Sequence, residues 1–308
     1  MNAKVPVSST AVPGASENEA QSSGTAEMCA AVRSVEHMRP AGDRLLDDPY
    51  AHHFIQNPLY RFLFARSVTA MPAARLYNSL FEGWAAEIIL RYRHSDELMK
   101  RAVDGGCRQV VILGAGYDST ALRCAFDADV VFYEVDKPDT QENKLEIMRR
   151  KQLRPRSRVE YIGCDFAAGD DVVERLTSRG FDPAEPSFVS WLGVSYYLPR
   201  SAVRDTLEKL SRACAPGSRV IFDYVVPGVI DGTIDHTGAQ RGRRFAAKRG
   251  EPFSFGIGRD ELDAFLPDES FRVVENFTVP DLVELYGDPK SFWLSVADFI
   301  GTIVLERE

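Results

Sequence analysis

The middle of the chain alternates short apolar runs with amphipathic stretches. Five runs are rich in β-branched and aromatic residues: 109–114, 129–136, 158–164, 187–193 and 219–225. Each of the first four is followed by a stretch whose apolar side chains recur at the spacing of a helix. Strands that are apolar along their whole length are typical of sheets buried on both faces, and helices between them supply the crossovers of a parallel sheet. The pattern therefore predicts an α/β fold built on a mostly parallel sheet.

The segments around this alternation predict a single elaborated domain. Residues 1–24 have few apolar side chains to offset the entropy of ordering, so they are predicted to be a disordered tail. A long polar insertion after a central strand is typical of a lid or substrate segment. The predicted divisions are a helical N-terminal cover over 25–105, a ligand-binding core over 106–225, a lid over 226–258, and C-terminal helices and strands over 259–308.

Composition excludes several classes of function. The net charge of −8 disfavours a nucleic-acid partner, and no run approaches the eighteen apolar residues of a membrane span. The N-terminus lacks the apolar stretch of a signal peptide. Five widely spaced cysteines without a C-x-x-C pair indicate free thiols in a reducing compartment, so a cytoplasmic protein without a metal is expected. The oligomeric state stays open.

A glycine turn closes the first run, in the stretch VVILGAGYDST. Gly114 and Gly116 lie where a parallel sheet brings the backbone close to a ligand, at the carboxyl end of its first strand. A dinucleotide motif would need a third glycine at position 119, where the chain has Ser119, and the Gly-Lys-Ser/Thr phosphate loop is absent. Both phosphate-binding interpretations are therefore weakened.

Acidic residues after the next two runs favour a nucleoside ligand without a pyrophosphate. Asp136, at the end of the second run, is placed to accept hydrogen bonds from both ribose hydroxyls. Asp165 follows the third run and offers a carboxylate to an adenine amino group, and the Phe166 N–H can donate to a ring nitrogen. An NAD-dependent oxidoreductase is a rival interpretation, disfavoured by Ser119 and by this adenine pair.

Several stretches in the same order resemble the leucine carboxyl methyltransferase family of class I S-adenosylmethionine-dependent methyltransferases. They are TAEMCAAVRSVE, LLDDPYAHHF, RYRHSDELMKRAV, QVVILGAGYDSTALRC, FYEVDKPDTQENK, CDF, SWLGVSYYLPRSAV, APGSRVIFDYV and GEPFSFGI, and they span about residues 25–306. The chain is more similar to the bacterial branch of small-molecule O-methyltransferases, which includes polyketide carboxyl methylation enzymes. The resemblance implies a Rossmann-like seven-stranded sheet with an antiparallel last strand, and S-adenosyl-L-methionine as cofactor.

The resemblance also implies roles for the residues of the strand ends. Gly114 and Gly116 would lie against the methionine part of the cofactor. Asp136 would hold the ribose, and Asp165 with Phe166 would hold the adenine.

An arginine before the first strand would bind the methionyl carboxylate, since bidentate Arg–carboxylate pairing suits that group. Arg91 stands at the family's position, with Arg93 as the alternative. Leu192 stands at another cofactor-binding position, where many family members have a glutamate, so the surroundings of the sulfonium are expected to be less acidic here.

The acceptor is predicted to be a small molecule, with a carboxylate of a secondary metabolite favoured. A carboxylate is ionised at neutral pH and needs only orientation, whereas a hydroxyl needs a residue to take its proton. Tyr197 and His236 are the candidates for substrate positioning, and Arg241, Arg243 and Arg244 of the predicted lid suit an acidic acceptor. Transfer to a hydroxyl, carbon or nitrogen atom remains the alternative, as does a binding protein that has no acceptor pocket.

Overall fold

A computed structural model of the protein describes residues 15–126, 129–266, 271–288 and 292–308. Seven strands of this part of the chain form one sheet in the order β3-β2-β1-β4-β5-β7-β6. The strands are β1 (Gln109–Leu113), β2 (Val131–Asp136), β3 (Arg158–Gly163), β4 (Ser187–Trp191), β5 (Arg219–Val225), β6 (Phe271–Thr278) and β7 (Ile300–Arg307). The five predicted strands are all present, each within two residues of its expected bounds.

The sheet is mostly parallel with an antiparallel last strand, as the sequence predicts. β1 pairs in parallel with β2 on one side and with β4 on the other, whereas β7 runs antiparallel to both β5 and β6. The chain therefore crosses from one half of the sheet to the other between β3 and β4. Ligands of open α/β sheets bind at such a switch point, outside the carboxyl ends of the strands.

Helices cover both faces of the sheet. In chain order they are α1 (Ala15–His37), α2 (Pro58–Leu63), α3 (Ser67–Leu80), α4 (Trp84–Asp104), α5 (Thr120–Arg123), α6 (Pro138–Lys151), α7 (Val172–Thr177), α8 (Arg200–Ala213), α9 (Pro227–Asp231), α10 (Thr237–Lys248), α11 (Leu262–Phe265) and α12 (Val279–Tyr286). Among the described residues, no helix combines the length and the apolar character that a membrane crossing requires.

Adjacent residues of β1 pack on opposite faces, which explains why the run is apolar throughout. Val111 belongs to the same buried cluster as Leu207 of α8. Val110 belongs to a second cluster, with Leu98 of α4. Because successive side chains of a strand alternate between faces, a sheet with helices on both sides needs an apolar residue at every position.

The first helix begins earlier than the sequence predicts. α1 starts at Ala15 rather than near Thr25, so residues 15–24 of the predicted disordered tail are helical, and residues 1–14 lie outside the described part. The added segment contains Glu17, Ala20 and Gln21, all of types with high helix propensity. The prediction of a disordered tail relied on the lack of apolar residues and so missed this extension.

The predicted lid is largely helical and packs on the N-terminal cover. Trp84, the first residue of α4, donates from Nε1 to the carbonyl oxygen of Gly238 on α10, at 3.1 Å. A Cβ on Gly242 would lie 2.4 Å from that same Nε1. Gly242 lets the backbone of α10 approach the indole ring, and Gly238 lets it approach the backbone of Glu82, so α10 is fixed against the start of α4.

Candidate active site

A cavity of about 290 Å³ lies at the carboxyl ends of the strands. We call it the strand-end cavity. The turns after β1, β2, β3 and β4 all contribute to its lining, through Gly114, Gly116, Asp136, Asp165, Phe166 and Leu192. The structure thus brings together residues that the sequence analysis predicted from four separate turns. Their roles toward a cofactor remain predictions.

Asp136 is fixed by backbone groups on both of its oxygens. Oδ2 accepts a hydrogen bond from the N–H of Gly116, and Oδ1 accepts one from the N–H of Lys137 at 2.6 Å. Burial raises the pKa of Asp136 above its usual range, although these hydrogen bonds oppose the shift. The carboxylate is therefore held between the first and second strand ends, facing the cavity.

Gly114 is required by the packing of two turns. Its φ is +67°, and a Cβ there would lie 2.2 Å from Cγ2 of Val194, in the turn after β4. A side chain at position 114 would be strained by its backbone conformation and would clash with Val194. The turns after β1 and β4 are thereby packed directly against each other.

Ser119, where a dinucleotide motif would have glycine, belongs to a buried network. Its Oγ donates to Oδ2 of Asp48 at 2.5 Å. The same oxygen accepts from Nε of Arg33 on α1 at 2.9 Å, and Arg33 also donates to the carbonyl of Tyr117 at 2.6 Å. The hydroxyl at position 119 therefore joins the glycine turn to the N-terminal cover.

Arg91 lines the strand-end cavity from α4. Its Nη1 donates to Oε1 of Glu87 at 2.9 Å, to Oδ2 of Asp223 at 2.9 Å and to the Tyr196 hydroxyl at 3.2 Å. Nε of Arg91 is buried and has no hydrogen-bond partner among the described residues. The Nε–H of Arg91 can therefore donate a further hydrogen bond, beyond those that Nη1 makes.

Arg93 does not line this cavity. It pairs with Glu97 at 2.9 Å and stacks over the Tyr286 ring at 5.4 Å. Of the two arginines considered from the sequence, Arg91 is the one at the cavity.

Gly193, next to Leu192, makes room for Arg91. Its φ is +73°, and a Cβ would lie 2.7 Å from Nη2 of Arg91. The Gly193 N–H donates to Oδ2 of Asp223 at 2.7 Å. Leu192 itself lines the strand-end cavity.

Two buried carboxyl groups share Arg91. Burial raises the pKa of Glu87 to about 8, and Arg91 opposes that shift. Burial also raises the pKa of Asp223. Burial therefore favours the protonated form of Glu87 at neutral pH.

A smaller pocket of about 50 Å³ adjoins the strand-end cavity. The two share Thr25, Cys29, Arg91 and Tyr197 as lining residues. We call the smaller space the aromatic pocket, because it is lined by rings from α3, α4, α10, the segments that follow α3 and α10, and the turn after β4: Tyr77, Phe81, Trp84, Tyr196, Tyr197, Phe245 and Phe253. Tyr197, a predicted positioning residue, therefore lies at the junction, and burial raises its pKa well above the usual range.

His236 does not line either space, contrary to the sequence-based prediction. Its Nδ1 accepts a hydrogen bond from the N–H of Ala239 at 3.2 Å and caps the start of α10. Its ring packs 4.9 Å from the Phe299 ring. The histidine therefore stabilises the start of α10.

The three arginines of the predicted lid also lie elsewhere. Arg241 donates to the carbonyl of Leu80 at 3.1 Å, and Arg244 donates to Gln240 on its own helix. The guanidinium of Arg243 lies against Gly232. Within the described part of the chain none of the three lines the strand-end cavity or the aromatic pocket, so they give no support to an acidic acceptor.

Three lining or supporting residues were missed from the sequence. Arg33 reaches the strand-end cavity from α1, and Asp48 holds it in place. Glu251 lines the same cavity, and its Oε2 accepts from the Thr25 hydroxyl at 2.9 Å. Glu251 and Thr25 are 226 residues apart, and Arg33 meets Tyr117 across 84 residues, so local spacing carried no signal for these contacts.

Comparison with known proteins identifies the family of the chain. The family model described as leucine carboxyl methyltransferase matches residues 26–211. A protein of Mycobacterium avium, provisionally named an S-adenosyl-L-methionine-dependent methyltransferase, is 34% identical over 211 residues, which is 67% of this chain and 66% of that protein. A Mycobacterium sp. strain KMS protein with the same provisional name is 30% identical over 287 residues, covering 85% of this chain and 88% of its own.

Two solved structures share the fold. A DUF574 family protein from Streptomyces avermitilis superposes with a TM-score of 0.55 at 14% identity, covering 78% of this chain and 91% of its own. A protein from Thermobifida fusca, provisionally named a methyltransferase, gives a TM-score of 0.54 at 16% identity, covering 78% and 88%.

Proposed function

The chain belongs to the leucine carboxyl methyltransferase family of S-adenosylmethionine-dependent methyltransferases, and we propose that it methylates a carboxylate of a small molecule. The family membership gives the reaction class and the cofactor. The acceptor and its reacting atom are argued from the site.

The strand-end cavity suits the cofactor. Arg91 lines the cavity, and its buried Nε has no hydrogen-bond partner in the described part of the chain, which fits a guanidinium that binds a carboxylate such as that of the methionine portion. Asp136 fits the ribose hydroxyls, and Asp165 with the Phe166 backbone fits the adenine. When bound, S-adenosylmethionine supplies an electrophilic methyl group on a sulfonium.

The observation that carries the proposal is the state of the titratable groups at the junction. Burial raises the pKa of the Tyr197 hydroxyl and of the Cys29 thiol, so both stay protonated at neutral pH. Glu87 binds Arg91 through both oxygens and is itself protonated there. A carboxylate needs no base, whereas a hydroxyl acceptor would have to lose a proton to one.

The residues around the junction orient an acid and exclude water. Arg91 donates hydrogen bonds to both Glu87 and Asp223, so its positive charge limits their repulsion of an anionic acceptor. The rings of the aromatic pocket keep the junction dry, and a desolvated carboxylate is a stronger nucleophile than a hydrated one. The acceptor oxygen forms the new C–O bond, the C–S bond breaks with its electron pair going to sulfur, and no proton is transferred.

The test is incubation with methyl-labelled S-adenosylmethionine and small carboxylic acids, followed by mild alkali. Methyl esters release labelled methanol in base, whereas ethers and N-methyl or C-methyl products keep the label. Asp136→Ala is the control. This variant should not incorporate label into any acid, because it lacks the carboxylate proposed to bind the ribose of the cofactor. Label that resists alkali would overturn the carboxylate assignment and point to a hydroxyl, carbon or nitrogen acceptor, with Glu87 as the base to test.

A further inference from the structure

The segment that contains α2 and α3 differs in charge from the rest of the chain. Residues 49–81 contain no Asp or Glu, although the whole chain has 45 of them and a net charge of −8. Three exposed arginines lie in this segment: Arg61 on α2, Arg66 between the two helices and Arg75 on α3. In the part of the chain that the structure describes, none of the three forms an ion pair. The segment therefore presents unpaired positive charge on an otherwise acidic protein.

Helix α3 has an apolar stripe on its solvent side. Four exposed residues follow one another at steps of four, which places them on one side of the helix: Val68, Pro72, Leu76 and Leu80. Val68 is 75% exposed and Leu76 is 62% exposed, whereas Ala70 of the same helix is fully buried. The solvent side of a surface helix is normally polar. The packing of the protein thus leaves an apolar side of α3 uncovered.

Helix α2, which contacts α3, adds to the exposed apolar area. Leu59 is 60% exposed and Phe62 is 71% exposed. Of the seven large apolar side chains that are exposed among the described residues, five belong to these two helices. We call this surface the α2–α3 face; it consists of Leu59, Arg61, Phe62, Arg66, Val68, Pro72, Arg75, Leu76 and Leu80. Exposed apolar residues that are concentrated in this way indicate an interaction site, whereas single scattered ones do not.

A cleft beside α2 extends the positive charge. Its volume is about 1070 Å³, and its lining includes Arg61 and Phe62 of α2. Arg150 and Lys151, at the end of α6, line the same cleft and are exposed. No Asp or Glu is found among the described residues that line it. Cations from a second part of the chain therefore lie next to the α2–α3 face.

We propose that the α2–α3 face docks the protein on an anionic lipid surface. The apolar side chains enter the headgroup region, and the arginines lie against the anionic groups of the lipids. Binding of this kind combines buried apolar area with electrostatic attraction, and the face offers both. Within the described residues, no member of the face lines the strand-end cavity or the aromatic pocket. The inference is therefore independent of the proposed function.

A second copy of the chain fits this face less well. In a twofold dimer the same patch meets itself, so Arg61, Arg66 and Arg75 would face the same three arginines. Residues 49–81 supply no carboxylate that could pair with them. Like charges that meet in an interface disfavour the complex, whereas an anionic lipid surface carries the complementary charge.

Sedimentation with vesicles tests the proposal on the full-length protein. One set of vesicles contains phosphatidylcholine alone, and the other contains about one third phosphatidylglycerol. We expect the protein to bind the anionic vesicles at least about tenfold more tightly, because each arginine near an anionic surface contributes about fivefold. Added salt should weaken this binding, since exposed charges are screened. Equal binding to both sets, or binding to neither, would overturn the proposal.

Two matched pairs of variants assign the binding to this face. Leu76→Gln should weaken binding to anionic vesicles at least about tenfold, whereas Leu285→Gln, at a 54% exposed leucine of α12, should leave it unchanged. Arg75→Gln should weaken binding about fivefold, and Arg212→Gln, at an exposed arginine of α8, should have little effect. Melting temperature and S-adenosylhomocysteine affinity check that each variant is folded. Equal losses in a variant and its control would refute the assignment.

Sedimentation velocity without lipid distinguishes the other occupants of the face. A dimer that Leu76→Gln converts to a monomer, together with no binding to vesicles, would assign the face to a second copy and overturn the proposal. A monomeric wild type that binds anionic vesicles supports it. Methyl transfer to water-soluble acids is measured on the same variants, so that a failure of lipid docking and a failure of the proposed function are observed separately.

Discussion

Asp48 is the residue whose replacement we expect to be most damaging outside the strand-end cavity. Its Oδ2 accepts from Arg33 at 2.9 Å and from Ser119 at 2.5 Å, and its Oδ1 accepts from the N–H groups of Tyr50 at 3.1 Å and Ala51 at 3.0 Å. The side chains of Asp48 and Arg33 are 0% and 1% exposed. Asp48→Ala would leave a buried guanidinium without its counter-charge.

The expected cost follows from that burial. Removing one partner of a buried ion pair costs about 3–5 kcal/mol, because the remaining charge is uncompensated. A folded domain is stable by only about 5–15 kcal/mol, so a large share of the stability would be lost. Asp48→Asn keeps the shape and can still accept backbone hydrogen bonds, and we expect it to cost about 1.5–3 kcal/mol.

The pH dependence of this effect has a definite sign. Burial would raise the pKa of Asp48, but Arg33 and the hydrogen bond from Ser119 outweigh it and lower the pKa below its ordinary value of 3.8. The stabilisation is therefore fully present above that ordinary value and is lost as the pH falls through the lower, folded-state pKa. The destabilisation by Asp48→Asn should be the same at about pH 6 and pH 8.

Urea unfolding followed by circular dichroism measures the loss. With an m-value of about 3 kcal/mol per molar urea, Asp48→Ala should lower the midpoint by about 1–1.7 M. Asp47→Ala is the matched control, since that neighbouring carboxylate is 67% exposed and surface pairs contribute little. A midpoint for Asp48→Ala within about 0.3 M of the wild type would refute the reasoning.

Three further outcomes are expected. Asp136→Asn should weaken S-adenosylhomocysteine binding by about tenfold or more in calorimetry, because a charge-assisted acceptor is lost, whereas the exposed Asp139→Asn on α6 should not. Gly193→Ala puts a Cβ 2.7 Å from Nη2 of Arg91 at a φ of +73°, so both the melting temperature and cofactor affinity should fall, and unchanged values would show that the backbone relaxes. The KM for an acid acceptor should rise above about pH 8, because Glu87 then loses its proton and repels the anion. Glu87→Gln should abolish that rise. If the variant shows the same pH profile as the wild type, the rise belongs to another titrating group.

Much of the fold follows from the sequence because buried strands have a simple requirement. Val110 and Val111 pack on opposite faces of the sheet, so a continuous apolar run was sufficient to locate β1. Helix α1 was harder, because its first turns contain few apolar residues. Thr25, predicted as the helix start, lies inside α1, and its hydroxyl donates to Glu251 instead.

The strand-end residues could be predicted because the topology brings them together. Parallel strands end at one edge, so Gly116 and Asp136, twenty residues apart, meet directly. Arg33 binds the Tyr117 carbonyl across a separation of 84 residues, and no local pattern encodes such a contact. His236 was misplaced because a loop histidine and a helix-capping histidine look alike until the helix they flank is known.

The docking of α10 on Trp84 has a consequence for redesign. Apart from Arg91 of α4, the residues proposed to bind the cofactor lie on the turns of the sheet. Phe245 and Ala246 belong to α10, a helix that reaches the site from outside the sheet. A mutant library confined to the inner side of α10, with Gly238 and Gly242 kept constant, could therefore retarget the enzyme to new acceptors and leave its methyl-donor affinity intact.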